Sequence, residues 1–389
     1  MTRAWLWVVV TVLSGCPPNP CGDASAERIA PDPQPLGLTG SAVRHTVSLA
    51  NCVTGITGAT ARVTDASGRL VASEVISQAG VQAIVAFTPT SAGVHTVVVQ
   101  FEPARGEASA PVVVLRDRSS EPPLLQFRAT LPCSEVRVMH DVALCRGPSS
   151  SELIWGGTVV ERNDFAMGLE TPNALWGLRS DGVTRWTEED AGLTSSSFPL
   201  NLRSATLDVS AATDERLLLG EGGLLFDLHT GADGGLERSP QPWAADPMMT
   251  QGLAVMDGGV LWLTGTEACF AAPSETKQCR EWPLRMLAPQ GDALWVMNDA
   301  LGEVGFVRFG NGPVPLETRY LRLETEAKQQ LVVAPTGYPT LRFGAYLVAI
   351  DGETLRLDAW RGPQGWDAGG VSERHVWFGN GTQVTVYAR

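Results

Sequence analysis

The side chains able to do chemistry are few and scattered. A hydrolase or lyase needs a nucleophile or base held by a partner, and the short patterns that supply one (Gly-x-Ser-x-Gly, His-Glu-x-x-His, a Gly-rich phosphate loop) do not occur in this sequence. The five histidines, His45, His95, His140, His229 and His375, stand one by one in stretches that read as strands and turns. His140-Asp141 lies between Cys133 and Cys145, on an expected hairpin tip where side chains are solvated. Carboxylates gather at Glu188-Glu189-Asp190 and, more loosely, between Glu152 and Asp164. A pair held roughly 5–10 Å apart cleaves glycosidic bonds in other proteins, but three acids in a loop are first of all a solvated loop. Catalytic residues therefore stay unassigned, and the balance lies against an enzyme.

Seven cysteines raise the question of metal. Zinc sites draw on closely spaced Cys and His; here no Cys-x-x-Cys pair exists and no His lies within three residues of a Cys. Calcium loops need an Asp-x-Asp-x-Asp-Gly pattern, which is also missing. Neither a metal nor another cofactor is expected.

The amino terminus places the chain. Arg3 precedes the apolar run from Trp5 to Leu13, and Ser14-Gly15-Cys16 follows. That is the layout of a secretory signal, and nine apolar residues are too few to span a bilayer. Leu13-Ser14-Gly15-Cys16 resembles the lipobox of bacterial lipoproteins. The resemblance implies cleavage before Cys16, a diacylglycerol on its thiol, acylation (palmitate) of the new amino terminus, and attachment to a membrane through those chains. It implies the cell envelope, at the outer membrane on its periplasmic face or the cell surface. In such an oxidising compartment the remaining six cysteines, Cys21, Cys52, Cys133, Cys145, Cys269 and Cys279, are expected to form three disulfides. Six cysteines allow fifteen pairings; proximity favours Cys133–Cys145 and Cys269–Cys279, leaving Cys21 for Cys52.

The elements that must position these residues fall into two textures, as a chain of 389 residues, too long for one ordinary core, requires. The net charge of −13 becomes −14 once residues 1–15, which carry only Arg3, are removed. Such acidity argues against nucleic acid as a partner. Residues 16–35 are rich in Pro and form a tether; extended at ~3.1 Å per residue it reaches roughly 60 Å. Residues 36–116 contain no Trp and alternate with period two over Val43–Leu49, 59–63, 70–76, 81–87, 94–101 and 111–115. Asp65-Ala66-Ser67-Gly68 and Pro89-Thr90-Ser91-Ala92-Gly93 supply turns between them. About seven short strands without helical periodicity indicate a β-sandwich. The stretch from Phe87 through Gly93 to Val99 resembles the end of a filamin-type or bacterial Ig-like repeat, with His95 where that family has Tyr. The resemblance implies a spacer or binding module.

Residues 117–123 are polar, end in Pro122-Pro123 and read as a linker. Beyond them, over 124–389, one phrase recurs at Trp155, Trp176, Trp262, Trp295 and Trp377: an apolar strand, a Gly-bearing turn, a second strand. Asp181-Gly182, Asp257-Gly258, Asn311-Gly312, Asp351-Gly352 and Asn380-Gly381 are strong hairpin signals. Trp176 to Trp262 spans two steps of 43 with Leu218 near the middle, and Trp295 to Trp377 two steps of 41, whereas Trp262 to Trp295 is 33. Repeats of ~40–45 residues with four strands each mark a β-propeller, here with six or seven blades. The fold expected is thus all-β: an Ig-like β-sandwich followed by the propeller. Residues 175–186, with Asp181-Gly182 in the turn and Trp186 closing the next strand, resemble a repeat of the pyrroloquinoline-quinone type, as do residues 347–360 more loosely. That resemblance implies a propeller without a quinone site, and membrane-assembly lipoproteins share it.

The function this organisation points to is a lipid-anchored envelope protein with a noncatalytic binding or scaffold role through the propeller's loop face, its partner a protein or glycan. Trp243, Trp282 and Trp366, each near a Pro, are the aromatic candidates for that face. A propeller enzyme acting on envelope or extracellular polysaccharide and an outer-membrane assembly factor are the alternatives, because distant residues can converge in a funnel without leaving a motif.

Overall fold

The computed structural model describes residues 36–389 apart from 50–55, 104–105, 180, 191, 200–208, 222–223, 240–243, 246–250, 257–258, 265, 273–275, 291–292, 299–302, 311, 323–330, 334–337, 344 and 353–355. Cys16, Cys21, Cys52 and Trp243 lie outside the described residues. Among the described residues every regular element is a β-strand. The chain divides into two compact units: Met1–Ser120 with Tyr320–Leu331 and Leu341–Arg361, and Glu121–Arg319 with Val332–Thr340 and Gly362–Arg389.

In the first unit, Val43–Ser48, Gln82–Phe87 and Ser73–Ala79 form one antiparallel sheet. A second sheet runs from Gly106–Asp117 through Gly93–Glu102 and Gly58–Thr64 to Leu70–Val71, with Leu36–Leu38 added in parallel to Gly106–Asp117. Period-two alternation sends Ala83, Val85 and Phe87 from one sheet, and Val97, Val99 and Phe101 from the other, into a shared core. The turn at Asp65 is fixed by its carboxylate, which accepts hydrogen bonds from the Ser67 and Arg69 amides at 2.9 Å each and from the Ser67 hydroxyl at 2.6 Å. These donors, led by the Ser67 hydroxyl, hold Asp65 well below the usual carboxylate range. His95, at the position where the resembled family has Tyr, is buried; its Nδ1 lies 3.3 Å from the Gly93 carbonyl and its ring stacks on Phe87 at 5.9 Å.

The residues that follow Gly106–Asp117 are hydrogen-bonded to another strand of the same unit. Arg116 and Asp117 pair in parallel with Asp358 and Ala359 of Leu357–Arg361. The Arg118 amide donates to the Ala359 carbonyl at 2.8 Å, and the Arg118 guanidinium pairs with Asp358 at 3.1 Å while lying 5.2 Å over the Trp360 ring. Ser119 Oγ accepts the Arg361 amide at 3.0 Å. Arg116 to Ser119 are thus hydrogen-bonded along the Leu357–Arg361 strand.

In the second unit, successive stretches of chain each fold into four antiparallel strands in sequence order. The first sheet is Glu135–Met139, Val142–Arg146, Ser151–Trp155 and Thr158–Asn163; the second is Met167–Glu170, Leu175–Arg179, Gly182–Glu189 and Gly192–Pro199. The third begins at Val209–Ala212, the fourth at Gln251–Met256 and the fifth at Arg285–Gln290. The first strands of these sheets lie against one another in order. The last sheet is Ala368–Val371, His375–Asn380, Gln383–Ala388 and then Leu125–Arg128 from the start of the unit. Val384 faces Phe127 and Val386 faces Leu125, so chain end and chain start close the array. Serial four-stranded sheets, adjoining first strands and a shared closing sheet are the arrangement of a β-propeller.

The recurrent tryptophan has a single structural meaning. Trp176, Trp262, Trp295 and Trp377 all sit in the second strand of their sheets and are 0, 0, 0 and 1% exposed. Leu218 holds the same place in the third sheet at 0%. Each buried indole removes ~150–250 Å² from water, roughly 4–6 kcal/mol of transfer free energy. Trp155 departs from the pattern because it lies in the third strand of its sheet. The short step from Trp262 to Trp295 joins second strands of consecutive sheets, so the repeat itself is shorter there and its register is kept. At the last hairpin Asn380 faces Gln383, leaving Gly381-Thr382 as a two-residue loop with Gly381 at φ 57°, a conformation glycine adopts without strain.

Candidate functional site

Charged side chains converge where the first, second and last sheets of the second unit meet. Glu170 ends Met167–Glu170, and its side chain is 1% exposed. Its Oε2 accepts the Val138 amide of the first sheet at 3.0 Å. Its Oε1 accepts the Ser372 hydroxyl in a short hydrogen bond and the Arg374 amide at 3.3 Å, and lies 3.4 Å from His375 Nδ1. Burial raises the Glu170 pKa, but the His375 hydrogen bond and charge, the Arg137 charge and the Ser372 hydroxyl outweigh it and bring the group down to about 2.

The neighbouring charges are likewise held by protein groups. Arg137, mid-strand in Glu135–Met139, pairs with Glu135 Oε1 at 3.0 Å, and Arg146 Nε reaches Glu135 Oε2 at 2.6 Å. Arg389 Nη1 donates to the Ser372 carbonyl at 2.9 Å, and its guanidinium lies 5.5 Å over the Tyr338 ring. Burial raises the Tyr338 phenol, and burial followed by the Glu170 charge raises Glu373.

Ser, His and Glu are the residue types of a hydrolytic triad, but their order here is a different one. The Ser372 hydroxyl donates to the carboxylate, and one carboxylate oxygen faces both Ser372 and His375. A nucleophile needs the hydroxyl on the imidazole and the imidazole on the acid. This arrangement ties three sheets together.

A second buried carboxylate works the same way. Glu152, fully buried, accepts the Thr130 amide at 2.7 Å, the Thr130 hydroxyl in a short hydrogen bond and Arg162 Nε at 3.1 Å. It fixes the chain just after Leu125–Arg128, beside the Cys133–Cys145 disulfide. In the acidic run, Glu188 Oε1 accepts Trp155 Nε1 at 3.3 Å and Glu188 Oε2 lies 3.3 Å from His140 Nδ1. His140 sits at the hairpin tip expected for it, with φ 50°. Glu189 Oε1 lies 3.5 Å from Thr194 Oγ1. His45 is lowered by burial, and His229 Nδ1 lies 3.8 Å from Asp227.

Trp282 is buried against Phe309 at 5.5 Å and belongs to a core cluster, not to an exposed face. Trp366 is half-buried with its ring edge-on to Phe378 at 5.1 Å. Cys133–Cys145 and Cys269–Cys279 are disulfides, as their proximity in sequence indicates. Glu170, Ser372, Glu135 and Arg137 escaped the reading of the sequence; the signal for the last two was charge inside an otherwise apolar strand, Glu135-Val136-Arg137-Val138-Met139.

No family model and no curated protein matches this chain. Among solved structures it is similar to PorZ, a bacterial surface component of the type-IX secretion system of Porphyromonas gingivalis, at 12% identity and TM-score 0.42, over 69% of this chain and 39% of that one. It is similar to Hsv2 of Kluyveromyces lactis at 8% identity and TM-score 0.36, over 64% of this chain and 90% of the other. A quinoprotein alcohol dehydrogenase-like protein of Bacteroides thetaiotaomicron gives 8% identity and TM-score 0.33, over 74% and 93%. This chain spans about two fifths of PorZ.

Proposed function

We propose that this chain is a lipid-anchored envelope protein whose Ig-like sandwich and seven-bladed propeller act as a noncatalytic binding scaffold. The carrying observation is the fate of the buried charge: Glu152 and Glu170 are engaged by donors that join one sheet to the next, and Glu135 and Arg137 by each other and by Arg146 within the first sheet. A catalytic funnel needs an acid or base left facing substrate, whereas a scaffold needs a rigid ring that holds variable loops. The proposed count of seven takes the strands of residues 331–361 as one blade, with the five sheets before them and the closing sheet after them. The Cys16 lipobox supplies the anchor, and the Pro-rich residues 17–35 its tether.

Two measurements test this reading. Growth of a bacterial host with an alkyne fatty acid should label the full-length protein and leave a Cys16→Ser variant unlabelled; equal labelling removes the anchor. In-cell cross-linking of the tagged protein should then yield a discrete protein partner joined to loop residues of 124–389. Recovery of glycan alone, with turnover of that glycan by the purified protein, would replace the scaffold reading with an enzyme.

A further inference from the structure

The two disulfides differ in what surrounds them. Cys133 and Cys145 are both buried, at 4 and 0%, and both belong to a core cluster that includes Val136, Val138 and Trp377. Cys269 is buried at 0%, but Cys279 is exposed, on Gln278–Glu281. All four residues of that strand are exposed, and among the described residues it ends its sheet and pairs only with Glu267–Ala271. Cys269 and Cys279 face each other directly across that pair. A thiolate from solution therefore has a path to one disulfide, along an open edge, that it lacks to the other.

A third group stands beside the accessible one. Glu267 is two residues before Cys269 and on the same face of its strand, as the alternation of a strand requires. A carboxylate oxygen of Glu267 and the two sulfurs all lie within 4.8 Å of one another, a grouping that Cys133–Cys145 does not have among the described residues. Tetrahedral ligands of Zn²⁺ at ~2.0–2.3 Å from the ion stand roughly 3.5–4 Å apart, so side-chain shifts of about an ångström close the set. As a disulfide the sulfurs are not ligands; as thiolates they are the soft donors such a cation prefers.

We propose that Glu267, Cys269 and Cys279 form a redox-gated binding site for a soft divalent cation of the Zn²⁺ type, closed as the disulfide and opened by exchange with a dithiol. A thiolate of the dithiol attacks Cys279 Sγ, forming a mixed disulfide and releasing Cys269 as thiolate. The second thiol of the reagent then displaces Cys279 and leaves as a cyclic disulfide. Two electrons pass from the dithiol to the protein. Zn²⁺ then displaces the two thiol protons and takes the carboxylate of Glu267 as third ligand, with water in the fourth position.

The test uses the full mature chain. It is reduced with increasing phosphine, trapped with iodoacetamide and mapped by mass spectrometry. Cys269 and Cys279 should become labelled at a phosphine concentration at least about tenfold below that needed for Cys133 and Cys145. At that concentration added Zn²⁺ should protect both residues from alkylation. Glu267→Gln should weaken that protection, raising the Zn²⁺ needed by on the order of tenfold, while the ease of reduction stays the same. Opening of Cys133–Cys145 first, alkylation of Cys269 and Cys279 unaffected by Zn²⁺, or protection unchanged in Glu267→Gln would each overturn the proposal.

Discussion

At Glu170, burial and binding partners pull in opposite directions, and the partners win. A carboxylate with a folded pKa of about 2 against an ordinary value of 4.5 stabilises the fold only while it is ionised. The depressed value means that the stabilisation is fully present above pH 4.5 and is lost as the pH falls toward 2. The difference corresponds to about 3 kcal/mol. Glu170→Gln should therefore be less stable than the parent by about 3 kcal/mol at pH 7 in urea unfolding, and the two should converge between pH 5 and 2. A gap that does not change over that range would show that the charge is not what holds the junction. Nothing in the sequence marked this residue, because its partners are far away along the chain: Ser372 and Glu170 are 202 positions apart. Local spacing carries the chemistry of neighbours, and this site has almost none.

Elements whose signals are local were legible. Sequence separations of 12 and 10 bring Cys133 to Cys145 and Cys269 to Cys279 by way of single hairpins. The tryptophan phrase was read as a repeat because burial between sheets demands a large apolar residue at one strand position, and four of the five phrase tryptophans occupy it. Trp282 misled because a neighbouring Pro marks a loop but says nothing of which side of the chain is covered; its ring lies on Phe309. Replacing Cys133 and Cys145 together by Ser should lower stability by about 3 kcal/mol, the loop-closure entropy of so short a ring, measured by chemical unfolding under non-reducing conditions. Gly381→Ala should cost about 1 kcal/mol, since φ 57° disfavours a side chain at that loop; the same assay reads it, and an unchanged midpoint would mean that the turn relaxes.

On the scale of the whole molecule the acidity and the closure have separate consequences. Residues 124–389 carry 33 carboxylates against 21 cations, whereas residues 36–116 carry four against five, so almost all of the excess negative charge and its self-repulsion lies in residues 124–389. A stack of hairpins ends in two open edges, a need that only closure of the array removes. Leu125–Arg128 on Gln383–Ala388 meets that need, and Val384 and Val386 are buried at 2 and 0%. Deleting residues 384–389 removes this closing strand, leaves Leu125–Arg128 unpaired and opens an edge on His375–Asn380 as well. The loss of a six-residue strand with two buried valines is far more than a point mutation, so Tm should fall by about 10 °C or more. The truncated chain should also scatter light on heating at concentrations where the parent stays clear, because its open edges pair between molecules. An unchanged Tm with clear solutions would mean that the array is held shut by the Glu152 and Glu170 junctions alone and that the shared sheet adds little to them.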